Sequence, residues 1–115
     1  MAVTFDMVRE AALKLPSVFE GTSYGTACLR IGKTMICRLR EDSETLVLKI
    51  DPMERDVLVE AEPDVFFTTD HYRGYPLVLV SLPKAEIDHI EILLRRAWFA
   101  AAPKRLTKRF PDAGG

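Results

Sequence analysis

Three short segments in close succession constrain the fold of this chain most strongly. They span residues 24–31, 34–40 and 45–50, and each has the length and composition of a β-strand. Gly32 and Lys33 form a two-residue hairpin turn between the first two, and the acidic run 41–44 forms the next turn. The pattern therefore predicts an antiparallel meander.

A helix is predicted before the meander. Four apolar side chains fall on one of its faces at spacings of three or four: Phe5, Val8, Ala12 and Leu15. Pro16 ends this helix because proline cannot continue the helical hydrogen bonds. Residues 17–23 contain the turn-like sequence Glu-Gly-Thr and are interpreted as a linker.

A second helix follows the meander. Asp51 is its predicted N-cap, Pro52 suits its first turn, and Glu54 stands where a capping box places an acidic residue. This helix is predicted to end near Ala61.

Two strands and a final helix complete the chain. The strands are expected at residues 65–68 and 77–82, and the helix at residues 84–101. The order α-β-β-β-α-β-β-α predicts a single α+β domain over residues 1–110, followed by a flexible C-terminal tail at residues 111–115. We expect the terminal helices to pack on one face of an antiparallel sheet and to leave the other face partly open.

Composition narrows the class of protein. The 115 residues carry 16 basic and 17 acidic side chains, and no apolar run approaches the length of a membrane span. The N-terminus does not have the form of a signal peptide, so a cytoplasmic protein without a membrane partner is expected. The two cysteines are expected to be reduced thiols.

No catalytic or metal-binding motif is present in the sequence. The nucleophile-elbow, P-loop, zincin and dinucleotide fingerprints are all missing. Cys28, Cys37, His71 and His89 do not have zinc-ligand spacing. We therefore expect a protein that is not an enzyme and that has no cofactor.

The register of the predicted hairpin bears on the two cysteines. If Gly32 and Lys33 are the two loop residues, Cys28 faces Cys37 across the strands. A redox disulfide would then be geometrically conceivable, although small core residues are the favoured interpretation.

The segment 68–76 is the first candidate site. It contains the run Asp-His-Tyr-Arg-Gly-Tyr-Pro between two apolar segments. His71, Tyr72 and Tyr75 can contact or stack on a planar ligand, and Arg73 can hold an anion. The alternative is a structured connection in which Gly74 and Pro76 shape the turn.

Basic residues form the second candidate site. Six of the 16 basic residues lie between residues 95 and 110, where no acidic residue occurs, which leaves 10 basic against 17 acidic residues elsewhere. Such a segment can contact phosphates, although cations also favour a helix C-terminus. The predicted nucleic-acid contacts are Lys33, Arg38, Arg73, Lys104, Arg105, Lys108 and Arg109.

Several short motifs in order resemble the MmcQ/YjbR family. They are Leu15-Pro16, Glu20-Gly21-Thr22, Gly25-Thr26, Gly32-Lys33, Asp70 through Pro76, Trp98 and Ala102-Pro103-Lys104. The resemblance implies a fold related to frataxin and similar in outline to type III secretion chaperones. It also implies DNA binding, of a proposed double-wing type, and brings no established catalytic residues.

Two functions follow as hypotheses. The first is non-enzymatic DNA binding dominated by backbone contacts, because the chain has no Asn or Gln to read adenine. The alternative is a small-molecule or protein-binding module, similar to a chaperone or a drug-sequestering protein, that uses the open sheet face. A concave apolar pocket lined by Tyr72, Tyr75 and Trp98 would favour a small planar ligand. A monomer or weak dimer is expected.

Overall fold

Within residues 2–111, six short strands form one antiparallel sheet, and short turns join the first four of them. The computed structural model describes residues 2–111. The strands are β1 (Val18–Ser23), β2 (Thr26–Ile31), β3 (Thr34–Leu39), β4 (Thr45–Lys49), β5 (Phe66–Phe67) and β6 (Leu77–Ser81). Their order across the sheet is β1-β2-β3-β4-β6-β5. The predicted α+β class and the antiparallel sheet are confirmed.

Four helices within the described range 2–111 complete the fold. They are α1 (Phe5–Leu13), α2 (Pro52–Ala61), α3 (Ile87–Ala101) and α4 (Lys104–Arg109), with a 3-10 turn at Leu82–Lys84 before α3. Asp51 caps α2 as predicted, because its side chain accepts hydrogen bonds from the amides of Met53 and Glu54. Helices α1 and α3 pack against each other on one face of the sheet. The predicted layering is therefore confirmed.

Strand β1 was not predicted. Residues 17–23 were interpreted as a linker, yet they pair with β2 from Val18 opposite Ile31 to Ser23 opposite Thr26. Because β1 is an edge strand with one free side, it tolerates polar residues and a glycine that a central strand would not. The turn itself lies at Tyr24 and Gly25, whose φ angles are 54° and 79°.

The predicted register of the two cysteines is wrong by one residue. Leu29 lies opposite Cys37, and Cys28 lies opposite Arg38. A β-bulge explains the shift, since Ile36 is an extra residue in β3 between the pairs Leu29–Cys37 and Arg30–Met35. Cys28 and Cys37 therefore point to opposite faces of the sheet, and both are buried free thiols.

The main hydrophobic core lies between the sheet and the helices. Its fully buried side chains include Val8, Leu48, Ile90 and Leu94. Trp98 is 0% exposed, and its indole Nε1 donates a hydrogen bond to the carbonyl oxygen of Pro16 at 2.8 Å. This bond connects α3 to the short segment between α1 and β1.

A smaller cluster lies on the other face of the sheet. Val47 and Leu79 are fully buried there beneath Tyr72, whose side chain comes from the β5–β6 loop. That loop therefore covers part of the sheet face that the helices leave free. We call this face, opposite α1 and α3, the open face.

No helix within residues 2–111 is long and apolar enough to cross a membrane. Of the predicted flexible tail at residues 111–115, residues 112–115 lie outside the part of the chain that the structure describes.

Candidate ligand-binding face

A concave cavity of about 490 Å³ lies on the open face. Strands β2, β3, β4 and β6 form its floor, and the β5–β6 loop forms one wall. Its aromatic and charged lining residues are Tyr24, Arg30, Arg38, His71, Tyr72 and Tyr75. We call this space the open-face cavity.

Arg38 lies at the floor of the cavity and is only 7% exposed. Its Nη2 donates to the hydroxyl of Tyr72 at 2.7 Å, and its Nη1 donates to the hydroxyl of Thr26 at 3.4 Å. The nearest carboxylate oxygen belongs to Glu41, 3.7 Å from Nη1, and that side chain is 64% exposed. The guanidinium is therefore buried mainly among neutral groups.

Two exposed tyrosine rings stand at the mouth of the cavity. Tyr24 is 85% exposed, and the guanidinium of Arg38 lies 5.3 Å from its ring centre. Tyr75 is 57% exposed, although its backbone is held at both polar atoms. Its amide donates to the carbonyl of Tyr72 at 3.0 Å, and its carbonyl accepts from Nη1 of Arg55 at 2.9 Å.

His71 and Arg73, the other predicted residues of the segment 68–76, differ in their relation to the cavity. His71 is exposed, lines the cavity and meets the ring of Tyr72 edge-on, with ring centres 4.8 Å apart. Arg73 is not part of the lining. Its side chain is 70% exposed and pairs with Asp70 at 3.2 Å.

Trp98 does not share a site with the tyrosines. It is enclosed in the core between the sheet and the helices, whereas Tyr72 and Tyr75 lie on the open face. The open-face cavity therefore contains two of the three aromatic residues that the sequence analysis placed in one pocket. Tyr24 takes the third place, because the turn after β1 directs it over the open face.

The predicted nucleic-acid contacts are not brought together on one surface. Four of them belong to α4 and are exposed: Lys104, Arg105, Lys108 and Arg109. The buried Leu106 anchors α4 in the core on the helix side of the sheet. Arg38 belongs to the open face, Arg73 to the loop that covers it, and Lys33 to the exposed β2–β3 turn.

Sequence reasoning missed Tyr24 as a site residue. Its signal was the pair Tyr24-Gly25, which supplies the two left-handed backbone positions of a tight turn. Placing that turn requires β1 to be recognised as a strand. The link between Arg55 and the carbonyl of Tyr75 joins residues 20 positions apart and has no local signal.

Metal chemistry finds no support in the described part of the chain. Residues 2–111 contain no cluster of three or more His, Cys, Asp or Glu side chains that could hold an ion.

Burial raises the pKa of the Cys37 thiol well above its ordinary value, and the neighbouring Cys28 adds to the shift. Cys37 is thus a neutral core residue rather than an activated nucleophile.

The fold and the cavity define an open-faced α+β domain, with helices on one side of an antiparallel sheet and a tyrosine-lined hollow on the other. The YjbR family model matches residues 13–100, and the chain belongs to this family. The family resemblance seen in the sequence is thereby confirmed.

Mycobacterial proteins match part of the sequence, and one solved structure matches the fold. The chain is 47% identical over 53 residues to uncharacterized protein Mb2600 of Mycobacterium bovis and equally to uncharacterized protein Rv2570 of Mycobacterium tuberculosis. That match covers 46% of this chain and 41% of each relative, so it spans less than half the length of either. The crystal structure of Deinococcus radiodurans protein DR2400, family-model domain DUF419, superposes with a TM-score of 0.77 at 24% identity. The superposition covers 98% of this chain and 89% of DR2400, and it supports the fold alone.

Proposed function

We propose that this domain binds a small planar organic molecule in the open-face cavity and does not alter it chemically. The observation that carries the proposal is the cavity of about 490 Å³, which combines tyrosine rings with a buried guanidinium. This volume lies within the usual range for small-molecule sites. Such sites are lined by aromatic surface with a few fixed polar groups, as this one is.

The lining suits binding better than catalysis. Covalent catalysis needs a nucleophile in contact with a base that a third group orients. The ionisable groups that line this cavity are two guanidiniums, three phenols and one imidazole. Exposed tyrosine rings provide flat apolar surface at little conformational cost, which favours stacking.

A fragment screen followed by NMR tests the proposal. We expect planar aromatic fragments to shift amide signals of β2, β3 and the β5–β6 loop while leaving α1 and α3 unchanged. Tyr75→Ala removes an exposed ring and should weaken binding by about tenfold without lowering the melting temperature. Phe99→Ala is the matched control, because it removes a ring of similar exposure from α3, outside the open-face cavity, and it should bind as the natural protein does. Fragments that shift only the helix layer would refute the proposal.

Nucleic-acid binding is the second candidate, favoured by helix α4. This six-residue helix presents four exposed cations, and Leu106 fixes it against the core. Ordered cations of this kind can neutralise backbone phosphates and release counterions. We propose as the second candidate that α4 contacts the phosphate backbone of DNA and does not read adenine bases.

Salt-titrated binding to a DNA duplex tests this candidate. Four neutralised phosphates predict a slope of about −3.6 in log affinity against log salt concentration. Replacing Lys104 and Arg105 by alanine should reduce the slope by about two. Replacing Lys14 and Lys84, two exposed lysines outside α4, is the matched control. Equal loss of binding in both double variants would argue against α4 as the contact.

A further inference from the structure

We infer that the ligand of the open-face cavity carries a carboxylate and that Arg38 binds this carboxylate directly. The inference rests on the proposed small-molecule function and adds the chemical class of the ligand. It starts from the burial of Arg38, which is 7% exposed and sits on the cavity floor. A buried charge is costly unless it is paired and hydrogen-bonded.

The partners of Arg38 within the described chain leave its charge only weakly balanced. The hydroxyls of Tyr72 and Thr26 accept hydrogen bonds but carry no charge. The carboxylate of Glu41 lies 3.7 Å away, beyond hydrogen-bond distance, and its side chain is 64% exposed. Water screens such a pair, so an anion placed against Arg38 inside the cavity would compete effectively with Glu41.

Arg30, the other arginine of the lining, carries a charge of the same sign. Arg30 is half-buried on the neighbouring strand, and its Nη1 donates to the carbonyl of Lys33 at 3.3 Å. The ten lining residues include both arginines and no aspartate or glutamate. The cavity is therefore a positively charged, partly enclosed space, which selects against cationic ligands and favours anions.

The arrangement of the rings suggests how the carboxylate is attached. The Tyr24 ring lies beside the Arg38 guanidinium, and Tyr75 lines the same cavity. A flat aromatic ring that contacts these tyrosines would place a directly attached carboxylate near the cavity floor. The planar guanidinium fork matches a carboxylate, so charge-assisted hydrogen bonds can form there.

A pair of isosteric probes separates charge from shape. We would titrate the full chain with 2-naphthoate and with 2-naphthamide, which differ in charge and share the ring. We expect the carboxylate to bind about tenfold more tightly than the amide, because a hydrogen bond to a charged group adds that factor. Isothermal titration calorimetry measures both affinities.

Three variants locate the effect. Arg38→Gln should remove the preference for the carboxylate. Lys33→Gln is the control, because it changes the net charge equally at an exposed turn, and it should preserve the preference for the carboxylate. Glu41→Gln removes the competing carboxylate and should strengthen naphthoate binding by about threefold without changing naphthamide binding. Glu41 is exposed, so this variant keeps the test informative even if Arg38→Gln does not fold.

The outcomes distinguish the two proposals. Equal affinity for both probes at the open face would overturn the carboxylate and leave small-molecule binding intact. Failure of both probes, together with a fragment screen that yields no ligand for this face, would overturn both. A carboxylate preference that survives Arg38→Gln and is unchanged by Glu41→Gln would assign the anion to another group and contradict the inference.

Discussion

The side chains of Trp98 and Arg38 are both buried, but on opposite faces of the sheet. The sequence predicted contacts with a ligand or nucleic acid for both. Trp98 lies in the core because α3 turns the row containing Leu94 and Trp98 toward the sheet. Arg38 is covered because Tyr72 folds over it from a loop 34 residues away. The burial of Trp98 follows the helical spacing from Leu94, whereas the burial of Arg38 depends on a distant element and cannot be read from local sequence.

Tyr72→Phe tests the support of Arg38. The change removes the hydroxyl that accepts from Nη2 of Arg38 and leaves a buried charge with one partner fewer. We expect the free energy of unfolding to fall by about 1–3 kcal/mol. Tyr75→Phe removes an exposed hydroxyl instead and should change it by less than about 0.5 kcal/mol. Urea denaturation of both variants measures the difference, and equal values would contradict this role of Tyr72.

Cys37 predicts a pH dependence of stability. Burial raises the pKa of its thiol in the folded protein above the ordinary value of 9.0. The unfolded chain therefore releases the proton first, so the stabilising contribution is complete below pH 9 and declines as the pH rises further. Between pH 7 and pH 10 we expect this group to lower the free energy of unfolding by about 1 kcal/mol. The loss should be missing in Cys37→Ala when both proteins are denatured with urea at the two pH values.

At the scale of elements, most helices and turns can be predicted from local sequence signals. The cap at Asp51 and the Gly32-Lys33 turn lie where the sequence predicts them. Strand β1 and the bulge in β3 do not have such signals. An edge strand is stabilised by the partner it pairs with, and a bulge by the packing of both sheet faces, so both depend on tertiary structure.

The turn between β1 and β2 provides a test at this scale. Gly25 has a φ of 79°, and a Cβ added there would meet no atom within 4 Å. Gly25→Ala should therefore destabilise the protein by about 1 kcal/mol through backbone strain alone. Gly74→Ala is the matched control, because Gly74 also has open space and does not have a left-handed φ. It should be neutral or slightly stabilising. Thermal unfolding compares the two.

At the scale of the whole molecule, one sheet carries two different surfaces. Its inner face binds the helices through a large apolar core, and its open face holds the smaller cluster and the cavity. Alternation of side chains along the strands makes this division predictable in outline. The cavity was not predictable, since it needs the loop 68–76, the β1–β2 turn and the β3 register together.

We predict that both faces unfold in one transition. Val47 and Leu48 are neighbours in β4, yet they belong to the open-face cluster and the main core respectively. Because the two clusters share strands, they should lose structure together. In the Cys37→Ala variant, fluorescence of the single tryptophan, Trp98, reports the main core, and thiol labelling of Cys28 reports the open face. The two urea midpoints should coincide; an earlier midpoint for labelling would indicate that the open face opens separately.

The hydrogen bond that Arg55 donates to the carbonyl of Tyr75 has a consequence for the thermodynamics of ligand binding. Arg55 belongs to α2, and its bond fixes the backbone of the cavity wall while the Tyr75 ring remains exposed. A wall already held in place loses little conformational entropy when a ligand arrives. The entropy of ordering this backbone is thus lost when the chain folds, and an incoming molecule contacts a wall whose backbone is already held rather than a loop that must first be ordered.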